Sequence, residues 1–216
     1  RDEHLDRKAF AKKFIKHLLR MRFLFDKFIL KREFIGDSLE GEWSLKTLSV
    51  SGQGSNKKAY FTNTSFLEYR QKSTSYANTY RHNDNLMIQS ALRVSYTSPK
   101  VMHWITGLLL WLEMNDNTSK LNSYCAVAEQ IARQSIIENF FKPCKDGNYR
   151  LGVGTPHIVF NYLDYLIWKN DRNLYKDFTF EFRNSVEHWY PRRPKESEIE
   201  TWKDGGVDRF GNLCII

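Results

Sequence analysis

Residues 178–216, which read FTFEFRNSVEHWYPRRPKESEIETWKDGGVDRFGNLCII, decide how the C-terminal part of the chain folds. Phe178, Phe180 and Phe182 alternate with polar residues, a pattern typical of a β-strand. Pro191 ends such a strand, because proline has no backbone N–H to donate to a neighbouring strand. A second short apolar run follows Gly211. We therefore expect two short strands joined by a charged loop.

The end of the first strand carries an acidic residue and a histidine side by side, Glu187 and His188, and Asn212 stands on the returning strand. Hydrolysis of a phosphodiester needs a base that activates water, and histidine is suited because its pKa lies near neutrality. A neighbouring carboxylate can hold a divalent metal that neutralises charge on the phosphate. An asparagine can orient the imidazole. These residue types predict a one-metal phosphodiesterase site, although neighbours within a strand point to opposite faces.

Residues 187–191, EHWYP, and residues 211–216, GNLCII, resemble the start of the His-Asn-His nuclease domain at the C-terminus of GmrSD-type restriction endonucleases. That type IV, modification-dependent family usually shows (I)EHIxPQ and xLGNLTLL at these places. The resemblance implies a ββα-metal (His-metal-finger) fold that cuts foreign or modified DNA with a divalent metal, Mg²⁺ or Mn²⁺. It makes His188 the general base, Glu187 and His188 the candidate metal ligands, and Asn212 the central asparagine that orients His188.

The sequence also departs from the family pattern. Arg192 stands where the family usually has glutamine, and Cys214 where it usually has threonine. The family continues into a helix with a last Asn or His and a Lys, whereas this sequence stops at Ile216 and begins at Arg1. We therefore expect a fragment with an incomplete ββα portion and a further metal ligand beyond it. An NTP requirement is implied only through the family's N-terminal domain, whose DGQQR-like motif does not occur in this sequence.

Positive charge is the main feature of the composition. The chain has 33 Lys and Arg against 25 Asp and Glu, a formal net charge of +8, which favours anionic partners, nucleic acid first and acidic lipid second. Four arginines around the two strands are candidates for contacting the DNA backbone, since phosphate contacts position a protein on DNA. They are Arg183, Arg192, Arg193 and Arg209. The alternative, that these are solvated charges, stays open.

The cysteines and the apolar runs indicate where in the cell the protein is expected to lie. Cys125, Cys144 and Cys214 lack metal-ligand spacing and predict neither a disulfide framework nor a zinc site, which favours a reducing, cytoplasmic location. The apolar run 101–112 contains His103 and is too short to span a bilayer, so no membrane partner is expected. A homo-oligomer or a partner domain stays open.

We expect a mainly α fold, with a helical domain at 1–176 and the nuclease-like portion at 177–216. Apolar residues at steps of three and four predict one long helix over 2–35 whose stripe packs in a core or against another helix. They are Phe10, Phe14, Leu18, Met21, Phe25 and Phe28. The glycine-rich residues 37–64 predict an irregular insertion with a hairpin closed around 51–56. Further helices are predicted at 66–80, from 82 onward, and at 101–114, 121–141 and 157–169.

Three functions remain open at this point. The leading one is a fragment of a metal-dependent DNA endonuclease that restricts foreign or modified DNA. The first alternative is a non-catalytic helical module that binds nucleic acid or a partner protein and carries a degenerate nuclease fold. The second is an acid–base enzyme that acts on a small substrate through His188 and Glu187, which would need a closed apolar pocket at those residues.

Overall fold

The structure, a computed structural model, describes residues 6–33, 41–63, 76–115, 121–144, 149–193 and 206–216. These ranges hold five α-helices and three small antiparallel sheets, so the expected mainly α class is confirmed. None of the described helices is long and apolar enough to cross a membrane. The chain divides into two compact units, one of residues 1–86 and 105–124 and one of residues 87–104 and 125–216. The domain boundary expected at 176/177 falls inside the second unit.

The helices follow the predicted ranges closely in the second half of the chain. Their bounds are α1 Arg7–Phe28, α2 Tyr76–Ser95, α3 His103–Met114, α4 Leu121–Ile136 and α5 His157–Asn170. A π-helical turn at Ile137–Phe141 continues α4. Residues 76–95 form one continuous helix across the predicted break near 81, and residues 64–75, where another helix was expected to begin, lie outside the described residues.

α1 is shorter than the sequence indicates. The side chain of Asp6 accepts a hydrogen bond from the backbone N–H of Lys8 at 3.0 Å and so caps the start of the helix. The helix ends at Phe28 rather than near residue 35. There the ammonium of Lys31 donates to the backbone oxygens of Asp26, at 2.6 Å, and Ile29, at 3.0 Å, which satisfies carbonyls that the helix leaves unpaired.

The apolar stripe of α1 is packed only near its C-terminal end. Leu24 and Phe28 are buried, whereas Phe10 is 57% exposed, Phe14 54% and Leu18 55%. The expectation that the whole stripe packs in a core or against another helix was therefore wrong for its first half. Periodicity identifies the helix correctly, but it cannot say how much of the stripe finds a partner.

Two antiparallel pairs follow α1 in the first unit. Strand β1, Lys31–Glu33, pairs with β2, Glu42–Ser44. Strand β3, Lys46–Ser51, pairs with β4, Lys58–Asn63, over six residues in register. The turn between β3 and β4 includes Gly52 with φ 91°, a conformation that glycine adopts readily. The expected hairpin around 51–56 is confirmed.

Side-chain hydrogen bonds join the helices of the second unit. Asn161 of α5 donates to the hydroxyl of Ser95 of α2 at 2.9 Å. The buried carboxylate of Glu129 on α4 accepts from the Tyr165 hydroxyl at 2.7 Å and from the Lys169 ammonium at 2.5 Å, both on α5. Burial acts to raise the pKa of Glu129, but these hydrogen bonds and the neighbouring cations outweigh it and lower that pKa. The network fixes α5 against α4.

The last two strands are shorter than predicted. Strand β5, Val186–His188, pairs antiparallel with β6, Leu213–Ile215. The alternating phenylalanines at 178–182 form no strand: Phe180 is buried, and the ring of Phe182 lies 5.4 Å from the guanidinium of Arg93. Within the residues that the structure describes, the strand pairing begins at Val186 and its partner Ile215.

Candidate functional site

The β5–β6 pair is fixed to helix α5 by a small apolar cluster. Val186 and Ile215 stand opposite each other in the pair and are buried together with Phe160 of α5. Phe210 and Leu213 pack against this cluster. Because side chains alternate along a strand, burial of Val186 places the next-but-one residue, the end of β5, on the same face.

His188, at the end of β5, meets a carboxylate on the segment that leads into β6. Its Nε2 lies 2.9 Å from Oδ1 of Asp208, and the histidine side chain is 11% exposed while that of the aspartate is 37% exposed. A largely buried imidazole held by a carboxylate is the arrangement that fixes a tautomer and a ring orientation. The arrangement can therefore serve acid–base chemistry.

Arg192 contacts the same carboxylate oxygen. Its Nη2 donates to Oδ1 of Asp208 at 2.7 Å. The hydrogen bond from Arg192, and after it the contact with His188, lower the pKa of Asp208 from its usual value of 3.8. Asp208 is therefore ionised at neutral pH and accepts from both partners.

Asn212 closes the loop around the histidine through backbone contacts. Its side chain is buried, its Oδ1 accepts from the Tyr190 N–H at 2.8 Å, and its Nδ2 donates to the carbonyls of Tyr190 at 3.1 Å and Val207 at 2.9 Å. Its own carbonyl accepts from the Trp189 N–H at 2.8 Å. The prediction that Asn212 orients the His188 ring was wrong, because the side chain of Asn212 contacts backbone atoms of Tyr190 and Val207 instead. Asn212 instead holds the segment after His188 and the segment that carries Asp208 at fixed separation.

A glycine makes room for the carboxylate. Gly152, in the short turn before α5, has φ 55°, and a Cβ built on it would lie 2.7 Å from Oδ1 of Asp208. Such a separation is a steric clash. Gly154, two residues on, has no atom within 4 Å of an added Cβ. The turn at 152–154 therefore packs against Asp208 specifically at Gly152.

Glu187 lies apart from this cluster. It is exposed, whereas Val186 before it is buried and His188 after it is partly buried, as alternation along a strand requires. The carboxylate that the structure brings to His188 is thus that of Asp208, not that of its neighbour in the sequence.

The four arginines have different surroundings. Arg192 is bound to Asp208. Burial raises the pKa of Asp164, and the positive charge of Arg183 nearby offsets part of this rise. Arg193 and Arg209 are exposed. Of the predicted set, only Arg192 joins the histidine cluster.

Asp208 and Gly152 are the members of the site that sequence reasoning missed. Asp208 lies in residues 205–212, GGVDRFGN, and the glycines and charges of this sequence are typical of a solvated loop. The sequence did hold one indication of its role. Asp208 is four residues before Asn212, and a residue so close to the start of the second strand must lie near the end of the first strand, which carries His188. Gly152 is 36 residues before His188 and has no local signal.

The site offers one of the oxygen ligands that a divalent cation needs. Mg²⁺ is commonly bound by one or two carboxylates, water and substrate phosphates, and Asp208 offers one carboxylate. Within the ranges that the structure describes, no three His, Cys, Asp or Glu side chains are grouped so as to hold a metal ion.

An apolar cavity of about 550 Å³ lies in the same unit. It is lined by side chains of α4, its π-helical turn and α5, among them Phe140 and Tyr162, and by Phe210. Neither His188 nor Glu187 lines it. This cavity is therefore not the closed pocket that an acid–base enzyme using those two residues would need.

In comparisons with known proteins, no family model matches the chain, and neither does any curated protein or solved structure. The resemblance to the His-Asn-His nucleases rests on residues 187–191 and 211–216.

Proposed function

We propose that the chain is part of a metal-dependent DNA endonuclease that hydrolyses phosphodiesters in foreign or modified DNA, with His188 as the general base. The observation that carries the proposal is the 2.9 Å contact between His188 Nε2 and Asp208 Oδ1 at the end of a strand pair. The loop sequence that resembles the His-Asn-His nucleases surrounds this contact. We propose with it that residues 177–216 form part of a ββα-metal fold, as the resemblance implies.

The contact with Asp208 determines which nitrogen acts. An ionised carboxylate accepts a hydrogen bond, so the neutral imidazole carries its proton on Nε2. Nδ1 then holds the free lone pair and takes the proton from the attacking water. As the imidazolium forms, the negative charge of Asp208 stabilises it, and the ring keeps its orientation.

Charge on the phosphate is met by the arginines and a cation. Arg192, already held by Asp208, can donate its remaining N–H groups to a non-bridging phosphate oxygen, and Arg193 follows it in the chain. Asp208, with phosphate oxygens and water, offers donors to Mg²⁺ or Mn²⁺, which when bound would neutralise charge on the phosphate. Glu187 stays a candidate ligand only if its side chain turns from the exposed face.

The test is a nicking assay on supercoiled DNA with the full-length protein. Plain, methylated and glucosylated DNA are compared in the presence of Mg²⁺ or Mn²⁺, beside His188→Ala. His103→Ala, at the exposed start of α3, is the matched control. We expect metal-dependent cutting that the first substitution abolishes and the control retains. Equal cutting by the His188 variant would mean that another site, or a contaminant, does the chemistry.

A second candidate function, a non-catalytic module that binds nucleic acid or a partner protein, is favoured by α1. This helix exposes large apolar side chains such as Phe10 and Phe14, and its opposite face carries lysines. Basic amphipathic helices of this kind are typical of binding segments. If the wild-type protein binds DNA but nicks none of the three DNA substrates with either metal, this second function replaces the first.

A further inference from the structure

The residue that follows the histidine is an exposed tryptophan. Trp189 is 84% exposed, whereas Trp104 and Trp168 are buried and Trp43 and Trp111 are partly buried. Tryptophan side chains are strongly buried on average, since burial of the large indole is favourable. Trp189 is therefore the most exposed of the five tryptophans that the structure describes.

The backbone below this side chain is held firmly. The N–H of Trp189 donates to the carbonyl of Asn212 at 2.8 Å, and the next residue, Tyr190, is bound on both sides by the Asn212 amide. Because this backbone is already ordered, a ligand that covers the ring restricts only the rotamers of one side chain. The backbone that carries the indole is thus preorganised.

The surroundings indicate what would cover the ring. Trp189 is bonded directly to His188, so their Cα atoms are about 3.8 Å apart. Arg192 and Arg193 follow within four residues. An aromatic ring beside cations is the combination with which proteins bind single-stranded nucleic acid, because bases stack on the ring and phosphates contact the cations.

We propose that Trp189 is a stacking platform for an unpaired base of the DNA strand whose phosphodiester lies at His188. This inference rests on the proposed nuclease function, since it names the form of DNA that the same site takes. Bases within a duplex are stacked on each other, so a base that stacks on Trp189 must come from a single strand, a bulge or a flipped-out nucleotide. The site would then prefer unpaired DNA to intact duplex.

The test is a binding measurement that does not depend on cutting. A labelled single-stranded oligodeoxynucleotide is titrated in the absence of divalent metal, and fluorescence anisotropy reports the Kd of the wild type and of Trp189→Ala, Trp189→Leu and Trp189→Phe. Tyr175→Ala, an exposed aromatic residue elsewhere in the same unit, is the matched control. The same titrations use a strand of equal length without bases and an intact duplex.

We expect Trp189→Ala and Trp189→Leu to weaken binding of the single strand roughly 5- to 100-fold, and Trp189→Phe to restore most of it, because a flat ring is needed. The control should bind as the wild type does, and all variants should bind the strand without bases equally. The inference is overturned if Trp189→Ala binds the single strand as tightly as the wild type, or if its loss is as large without bases.

The two proposals fail separately. If binding depends on Trp189 while His188→Ala still cuts DNA, the nuclease assignment falls, and Trp189 stands as a stacking platform for single-stranded DNA but not for a strand that is cut at His188. If His188→Ala abolishes cutting while Trp189→Ala leaves binding of single strands unchanged, only the stacking platform falls.

Discussion

Two strand pairs of this chain, β3–β4 and β5–β6, differ in the length of chain that joins their strands and in how far their side chains are buried. β3–β4 is six residues long on each side and closed by a short turn, yet Leu48 and Val50 on it are more than half exposed. β5–β6 is three residues long and its strands are separated by 24 residues of chain, yet Val186 and Ile215 are buried against α5.

The comparison shows where a site can be built. A hairpin closed by a short local turn needs little from the rest of the molecule, because loop closure over few residues is entropically cheap. A short pair between distant segments must be held by tertiary contacts instead. In β5–β6 those contacts are the cluster around Phe160 and the hydrogen bonds of Asn212, and they also position His188 against Asp208.

Replacing the base should give the largest effect. We expect His188→Ala to lower the nicking rate by about 100- to 10,000-fold, the range that general base catalysis contributes. Tyr60→Ala on β4, an exposed residue of the other strand pair, should leave the rate unchanged. Initial rates of nicking at saturating DNA measure both. A fall of similar size in the Tyr60 variant would show that the two pairs do not differ as described.

Removing the amide that holds the β5–β6 loops should destabilise the protein strongly. Asn212→Ala leaves the Tyr190 N–H and the Val207 carbonyl without their partner, and we expect a loss of about 3 kcal/mol in the free energy of unfolding. Val50→Ala on the exposed face of β3 should change it by less than about 0.5 kcal/mol. Urea unfolding curves followed by circular dichroism give both values. Equal midpoints for the two variants would contradict the structural role of Asn212.

Neutralising the carboxylate should lower activity less than removing the base. We expect Asp208→Asn to reduce the nicking rate by about 10- to 100-fold, since the amide can still contact the ring but carries no charge and no longer fixes the tautomer of the ring.

The same carboxylate gives a pH dependence of stability. Because Arg192 and His188 lower its folded-state pKa, its stabilising contribution is present above the unfolded pKa, near 3.8, and is lost as the pH falls through the lower folded value. Acid titration of the free energy of unfolding should thus show a loss in the wild type below about pH 4 that is smaller in Asp208→Asn. Identical acid titrations would contradict the contact.

Two glycine substitutions, two residues apart, should give the smallest difference in stability, and they test a single contact. Gly152→Ala should cost about 1 to 2 kcal/mol, because an alanine is strained at φ 55° and its Cβ would clash with Asp208. Gly154→Ala, with open space around it and no positive φ, should be neutral or stabilise slightly. Thermal unfolding and nicking rates of the two variants check this. A loss in Gly154→Ala as large as in Gly152→Ala would mean that the turn, and not the contact with Asp208, is what matters.

The parts of the fold that the sequence predicts well are those set by local pattern. Helices α3 to α5 and the β3–β4 hairpin follow from periodicity and from glycines in a turn, which act over a few residues. The exposure of Phe14 and the missing strand at 178–182 could not be predicted in this way, because they depend on whether a partner surface exists. Within the candidate site, His188 and Asn212 were identified, but the pairing with Asp208 depends on a loop whose path only the folded chain determines.

The most direct test of the account is a double-mutant cycle of nicking rates with the wild type, His188→Ala, Asp208→Asn and the double variant. If Asp208 acts by orienting the His188 ring, its substitution has nothing left to remove once the histidine is gone, so the double variant should nick DNA as slowly as His188→Ala alone. If the two losses multiply, Asp208 acts independently of the His188 ring, as a metal ligand would, and its orienting role is wrong. If His188→Ala nicks as fast as the wild type, the proposed site is wrong.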